Sequence, residues 1–163
     1  MAEIRSSPDS REPAQSPSLA ELSQEISASC LGLRLRLLAR MVTRGYDDAL
    51  RPFGIRITQL SLLVAIHRKE PVPAYRLGEV LSLEKSTLSR NLDRLRERGW
   101  LAEAMESGGR GDGLRLSAEG RRMIQRAGPA WRQAQAQVEA RFGKEGTRQL
   151  VQIAAASGGL PGD

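Results

Sequence analysis

The stretch EVLSLEKSTLSRNLDRLRERGWLAEAMESGGRGDGLRLS, residues 79–117, decides the fold. Leu88, Leu92 and Leu95 recur at spacings of four and three, the period of an amphipathic helix with one buried face. The apolar residues of the helix before it are Leu77, Val80 and Leu81. A glycine-rich tip then separates two short segments that predict strands. Two helices around a tight turn, followed by a hairpin, predict a winged helix-turn-helix.

The second predicted helix presents polar side chains away from its leucines. These residues are Lys85, Ser86, Thr87, Ser89, Arg90, Asn91 and Arg94. They belong to the residue types that reach phosphates and base edges in a DNA groove. We therefore predict them as DNA-binding residues, with double-stranded DNA as the partner.

Composition favours a nucleic-acid partner and disfavours a membrane protein. The 163-residue chain fits one domain with a tail, and its 25 Lys and Arg exceed its 19 Asp and Glu, for a net charge of +6. The first residues hold no apolar core of the kind that makes a signal peptide. The longest apolar stretch, 60–66, is far shorter than the roughly 20 residues that cross a bilayer. We expect a cytoplasmic protein with no membrane partner.

Periodicity and proline placement divide the chain into segments. Residues 1–18 lack periodicity and predict a disordered tail, and residues 158–163 form a short tail at the other end. Residues 57–116 hold the winged helix-turn-helix, the DNA-binding region. Residues 19–56 and 117–157 predict the long helices that flank it.

Several helix boundaries follow from the same pattern. One long helix is expected from about Leu19 to Leu50, because this range is free of proline and its apolar residues recur every three or four positions from Leu31 onward. Thr58 is a candidate cap for the helix that follows. In the C-terminal region we expect a kink at Pro129 and a last helix beginning at about Lys144.

The flanking helices predict a second copy of the chain. After Ser117 the recurring apolar residues are Ile124, Ala127, Trp131, Ala134, Val138 and Phe142. The apolar stripes of the flanking helices are too long for the small central region to cover. We therefore predict that 19–56 and 117–157 form the dimerisation region of a homodimer.

Three stretches resemble the multiple-antibiotic-resistance regulator (MarR) family of bacterial repressors. They are VTRGYDDALRPFGIRITQLSLLVAI (42–66), LGEVLSLEKSTLSRNLDRLRERGW (77–100) and LRLSAEGRRMI (114–124). The resemblance implies a mainly α fold with a small β-wing and long N- and C-terminal helices. It places at the front of the recognition helix Ser86, Thr87, Ser89, Arg90 and Asn91.

The resemblance also assigns a role to the wing and shows two departures from the family. Arg110 falls on the wing-tip arginine that enters the minor groove. Gly108 stands where the family has an acidic residue that holds this arginine, so we expect a looser wing. Glu84 replaces the usual aspartate before the recognition helix, where it favours the helix dipole but caps poorly.

Cys30 and His67 raise two alternatives. The family includes peroxide sensors with a reactive cysteine on the first long helix, so a thiol redox sensor using Cys30 is one alternative. Registering the helix through Tyr46 puts the reactive position at Gly32, about 200° around the helix from Cys30, which favours an inert, packed cysteine. One histidine and one cysteine are too few for a zinc site, so we predict no metal and no cofactor.

In the family, the effector cavity lies between the first long helix and the DNA-binding region, which is residues 57–116 here and is called the reading head below. This cavity often accepts aromatic carboxylates. On this helix the resemblance suggests Arg36, Arg40 and Tyr46 as ligand-binding residues. An arginine there can pair with an anion. Exposed arginines or salt bridges within a dimer are the alternative interpretation.

The sequence, taken with this resemblance, predicts a homodimeric transcriptional repressor that is nucleoid-associated when bound to DNA. The resemblance implies that it binds a pseudo-palindromic operator and that a small molecule, with an aromatic anion as the candidate, releases it. No nucleophile, base and acid occur in a catalytic pattern, so we predict no enzyme. Besides the redox sensor, the alternative is an architectural DNA-binding protein with little sequence preference.

Overall fold

A computed structural model of the chain describes residues 16–102 and 113–156. The described residues form two compact units that divide after Ala39. The helices are α1 (Leu19–Ser29), α2 (Leu31–Leu50), a short 3₁₀ helix (Arg51–Phe53), α3 (Ile57–Lys69), α4 (Ala74–Leu81), α5 (Lys85–Glu97) and α6 (Ala118–Ala156). Two antiparallel bridges, Val72 to Leu114 and Leu101 to Leu116, lie at the base of the predicted wing. The fold is mainly α, as predicted.

The first unit shows that the single long helix predicted from Leu19 to Leu50 is wrong. Cys30 has an extended backbone (φ −63°, ψ 107°) and separates α1 from α2. Ser18 and Glu21 begin α1 with a reciprocal capping box, in which each side chain accepts the other residue's backbone N–H. This box lowers the pKa of Glu21, mainly through the hydrogen bond from the Ser18 backbone.

The second unit contains the apolar core. Its most completely buried large side chains are Leu50, Leu62, Leu63, Ile66, Leu77 and Leu95. Full burial of one such side chain contributes about 1.5–3 kcal/mol, so this set fixes how α3, α4 and α5 pack. Trp100 is buried, whereas Trp131, expected on the buried stripe of the last helices, is 37% exposed.

The start of α3 corrects the prediction that Thr58 caps it. The helix begins one residue earlier, at Ile57, whose N–H donates to Asp47 Oδ1 at 2.8 Å. The Gln59 side chain accepts the N–H of Arg56 at 3.0 Å. The Asp47 carboxylate, near the end of α2, therefore caps α3 in place of Thr58.

Helix α6 begins and bends at identifiable residues. Ser117 Oγ accepts the Gly120 N–H at 3.0 Å and caps the first turn. The backbone stays helical at Pro129, where a kink was predicted, and departs from helical torsion angles at Gly143 (φ 69°, ψ 167°). The last helical segment begins at Lys144, as predicted, because glycine readily adopts this positive φ.

Within the described ranges, no single helix is long and apolar enough to cross a membrane. One bent pair, Leu31–Phe53 with Ile57–Lys69, passes a test of length and composition alone.

Candidate nucleic-acid interface

Helix α5 carries the polar side chains that the sequence predicts to contact DNA. Leu88, Leu92 and Leu95 are buried against the core, which fixes the rotation of the helix about its axis. The helix begins after Glu84, whose side chain makes no capping hydrogen bond. The poor cap expected from the sequence is confirmed, and the first turn retains backbone N–H groups without a side-chain partner.

The predicted DNA-binding residues of α5 do not share one face. At about 100° per residue, Ser86 and Arg90 point directly away from the buried leucines. Thr87, Asn91 and Arg94 lie on one flank. Lys85 and Ser89 lie on the other flank, where they line a groove of about 870 Å³ between α4 and α5. The outermost positions, which are best placed to enter a DNA groove, are Ser86 and Arg90.

Two of these side chains already bond to their own helix. Arg90 Nε donates to the Ser86 carbonyl at 3.1 Å, and Asn91 Nδ2 donates to the Thr87 carbonyl at 2.8 Å. Arg90 is exposed and Asn91 is half-buried. Their remaining N–H groups can still donate, because guanidinium has five donors and a carboxamide has two.

The other basic side chains of α5, and Arg98 just after it, differ in the contacts that they already make. Arg96 pairs with Asp93 at 2.8 Å. Arg98 lies 5.5 Å from the centre of the Trp100 ring and donates to the Gly54 carbonyl at 3.3 Å. Among the described residues, Lys85 and Arg94 form no ion pair. Their charges are therefore available to a phosphate.

The turn between α4 and α5 is tight and sets the angle between the two helices. Ser82 ends α4 in the left-handed region (φ 50°, ψ 43°). The Leu83 N–H then donates to the Gly78 carbonyl at 2.9 Å. A side chain at Gly78 would place its Cβ 3.3 Å from the Leu83 carbonyl oxygen, which is closer than most Cβ contacts. Glycine, which has no Cβ, therefore allows the backbones of Gly78 and Leu83 to lie this close together.

The base of the wing is held by a residue that the sequence did not suggest. Glu70 Oε2 accepts the N–H of Leu116 at 2.8 Å, beside the two β-bridges. No local motif marks Glu70, because its partner lies 46 residues away. Arg110 and Gly108, the predicted wing-tip residues, lie outside the described ranges.

Tyr46, a predicted ligand-binding residue, is buried and already bonded. Its hydroxyl donates to Gln135 on α6, and the Gln135 amide donates to Glu139 at 2.7 Å. Burial, followed by the negative charge of Glu139, raises the pKa of Tyr46 above the usual range of a tyrosine. A ligand reaching this hydroxyl would have to displace Gln135, because a buried hydroxyl favours keeping its partner.

The remaining candidate side chains are exposed or half-buried. Arg36 and Arg40 are exposed, and within the described chain neither forms an ion pair. Cys30 is half-buried between α1 and α2 rather than inside a helix, so the expected 200° offset on one continuous helix does not describe it. The described residues contain no group of three or more His, Cys, Asp or Glu placed to hold a metal.

Comparison with known proteins agrees with this geometry. The model of the MarR family matches residues 53–111, the range that contains α3, α4 and α5. The crystal structure of the Mycobacterium tuberculosis transcriptional regulator MosR is 32% identical, with a TM-score of 0.67 over 79% of this chain and 96% of that one. The chain belongs to the MarR family. A second structure of MosR is a complex with DNA.

Other relatives of this MarR-family chain are more distant or match over a shorter range. The transcriptional repressor CouR bound to p-coumaroyl-CoA has a TM-score of 0.70 at 20% identity, covering 80% of this chain and 92% of that one. The uncharacterized HTH-type regulator YwoH of Bacillus subtilis is 30% identical over 63 residues, which is 39% of this chain. That match spans 46% of YwoH, about half the length of the curated relative.

Proposed function

We propose that this MarR-family chain is a homodimeric transcriptional repressor that binds a pseudo-palindromic DNA operator. The observation that carries the proposal is the construction of α5. Its leucines anchor one side, while Ser86 and Arg90 project from the opposite side with Arg94 on a flank. Arg110 would add a minor-groove contact from the wing. MosR, which is similar along most of this chain, has been crystallised with DNA.

Apolar surface on the flanking helices supports the homodimer. Leu19, Leu31 and Leu35 are exposed on α1 and α2, and Val151 is exposed near the end of α6. Large apolar side chains in such numbers favour burial against another surface. We assign residues 19–56 and 117–157 to dimerisation and residues 57–116 to DNA binding. Because the proposed partner is DNA, the proposal includes a cytoplasmic location.

An aromatic anion is the proposed effector. CouR, which shares the fold, has been crystallised with p-coumaroyl-CoA, a ligand with an aromatic ring and phosphates. In this chain Arg36 and Arg40 offer exposed guanidinium groups for an anion. Tyr46 would contribute if the ligand replaced Gln135 as the partner of its hydroxyl.

Selection of bound sequences from random DNA tests the proposal. A homodimeric repressor should enrich two inverted half-sites about one helical turn, or roughly 10 bp, apart. It should prefer that site over random DNA by roughly 10³-fold or more. Similar affinity for all sequences would instead support an architectural DNA-binding protein. The redox alternative would be supported if peroxide released the wild-type protein from DNA, Cys30→Ser abolished this release, and no small-molecule effector released either protein.

A further inference from the structure

Helix α1 has no buried side chain, although it carries an apolar stripe. Leu19, Leu22 and Ile26 lie within an arc of about 60° around the helix. They are 85%, 42% and 51% exposed. An isolated helix of 11 residues is marginal in water, and in proteins such helices depend on the packing of one face. The stripe on α1 therefore favours burial against a surface that the described part of a single chain does not supply.

The first half of α2 carries a second exposed apolar face, formed by Leu33 and Leu37. These two residues lie about 200° around the helix from Leu31 and Leu35, which belong to the apolar stripe predicted from the sequence. Leu33 is 43% exposed and Leu37 is 54% exposed. Arg36 is also exposed and lies on the same side of the helix, about 60° from Leu33. A positive charge therefore borders the Leu33–Leu37 face.

Arg34 holds the end of α1 at the start of α2. Its Nε donates to the Ala28 carbonyl at 3.1 Å, and its Nη2 donates to the Ser27 carbonyl at 3.3 Å. These carbonyls belong to the last turn of α1, where a helix has no backbone donors of its own to offer them. With α1 held in this way, its stripe and the Leu33–Leu37 face both remain exposed, so neither covers the other within one chain.

The two exposed surfaces have opposite charge. Helix α1 contains Glu21 and Glu25 and no lysine or arginine, whereas every charged residue of α2 before Asp47 is an arginine. Glu25 borders the α1 stripe, about 60° around the helix from Leu22. Within the described ranges, neither Glu25 nor Arg36 forms an ion pair. An acidic apolar helix and a basic apolar face are complementary in both charge and hydrophobicity.

We propose that α1 of one copy packs on the Leu33–Leu37 face of a second copy, where Glu25 pairs with Arg36 of the partner copy. The inference rests on the homodimer of the proposed function and names a contact within it. Each chain carries both surfaces, so a two-fold axis forms the contact twice and covers both α1 helices. The apolar side chains supply the burial, and the ion pair selects the surface on which α1 packs. This contact uses Arg36 and leaves Arg40 to the proposed effector.

Charge reversal tests the ion pair. Glu25→Arg and Arg36→Glu each place like charges at both copies of the contact. Each variant should therefore raise the Kd of its homodimer roughly ten-fold in low-salt sedimentation, and less at high salt. The doubly substituted chain should dimerise like the wild type. Glu79→Arg and Arg76→Glu make the same charge changes at an exposed pair on α4, and these matched controls should also dimerise like the wild type.

Mixing Glu25→Arg with Arg36→Glu shows whether the contact joins two copies. In the mixed dimer both contacts bring unlike charges together, whereas each homodimer contains two repulsive contacts. Native mass spectrometry of an equimolar mixture should therefore find heterodimers well above the share that random pairing gives. A contact within one chain would produce random pairing, because mixing cannot repair it.

The outcomes separate this inference from the proposed function. Single variants that dimerise like the wild type, or random pairing in the mixture, would overturn the inference. A wild type that still binds its selected duplex as a dimer would then leave the proposed function intact. A wild type that is monomeric when it binds that duplex would refute the proposed homodimer and the inference with it.

Discussion

Replacing Gly120 by alanine tests how closely α6 packs on the end of the reading head. The new Cβ would lie closer to the Trp100 carbonyl oxygen than real Cβ contacts occur, and 3.1 Å from the Trp100 carbonyl carbon. These are backbone atoms, which cannot turn aside as a flexible side chain does. Ser117 also fixes the segment, because its N–H donates to the Trp100 carbonyl at 3.1 Å and its hydroxyl to the Gly99 carbonyl at 2.6 Å.

The expected magnitude follows from two opposing effects. Alanine favours the helix over glycine by about 1 kcal/mol. Overpacking of this kind typically costs about 1–3 kcal/mol, and we take the upper value because backbone must move. Gly120→Ala should therefore lower the free energy of unfolding by about 2 kcal/mol in urea denaturation.

Gly45→Ala is the matched control for this substitution. Gly45 is also helical, and a Cβ there would have no neighbour within 4 Å. That variant should be as stable as the wild type or more stable, by up to about 1 kcal/mol. A Gly120→Ala protein as stable as Gly45→Ala would refute the close approach of α6 to Trp100.

Three further substitutions test local features of the structure. Ser82→Gly should raise the free energy of unfolding by up to about 1 kcal/mol, and with it the Tm, because it removes the cost of a serine in the left-handed region. A lower Tm would contradict this conformation. Asp47→Ala should lower the free energy of unfolding by about 1 kcal/mol through loss of the Ile57 cap, whereas Asp47→Asn should retain most of it. Tyr46→Phe should cost about 1–2 kcal/mol by leaving the Gln135 oxygen without its donor. The raised pKa of Tyr46 means that wild type loses this stability as pH rises above about 10, so unfolding profiles of the two proteins should converge there; profiles that stay parallel would argue against burial of the hydroxyl.

The sequence predicted the helices of the DNA-binding region well because their signals are local. The spacing of Leu88, Leu92 and Leu95 determined which side of α5 is buried, and the structure buries all three. The start of the last helical segment at about Lys144 was also predicted, and the structure interrupts the helix at the residue before it, Gly143. Only the structure shows that the flank with Lys85 and Ser89 lines a groove between α4 and α5.

Features that depend on distant partners were not predictable in this way. Asp47 caps a helix that begins ten residues later, in place of Thr58. Glu70 gains its role from Leu116 and Arg121, which only the fold brings near it. The break at Cys30 was missed because it contains neither proline nor glycine, the residues that usually mark a helix end.

The most direct test of the DNA-reading claim compares Arg90→Ala with Arg96→Ala on α5. Both remove one arginine, but Arg90 projects away from the core, whereas Arg96 pairs with Asp93 beside the α4 groove. We predict that Arg90→Ala weakens binding to the selected duplex by about 1–3 kcal/mol and relaxes base preference at one position per half-site. Arg96→Ala should change binding little. Equal losses for both variants, or an equal loss for Arg90→Ala on random DNA, would contradict base reading by the exposed face of α5.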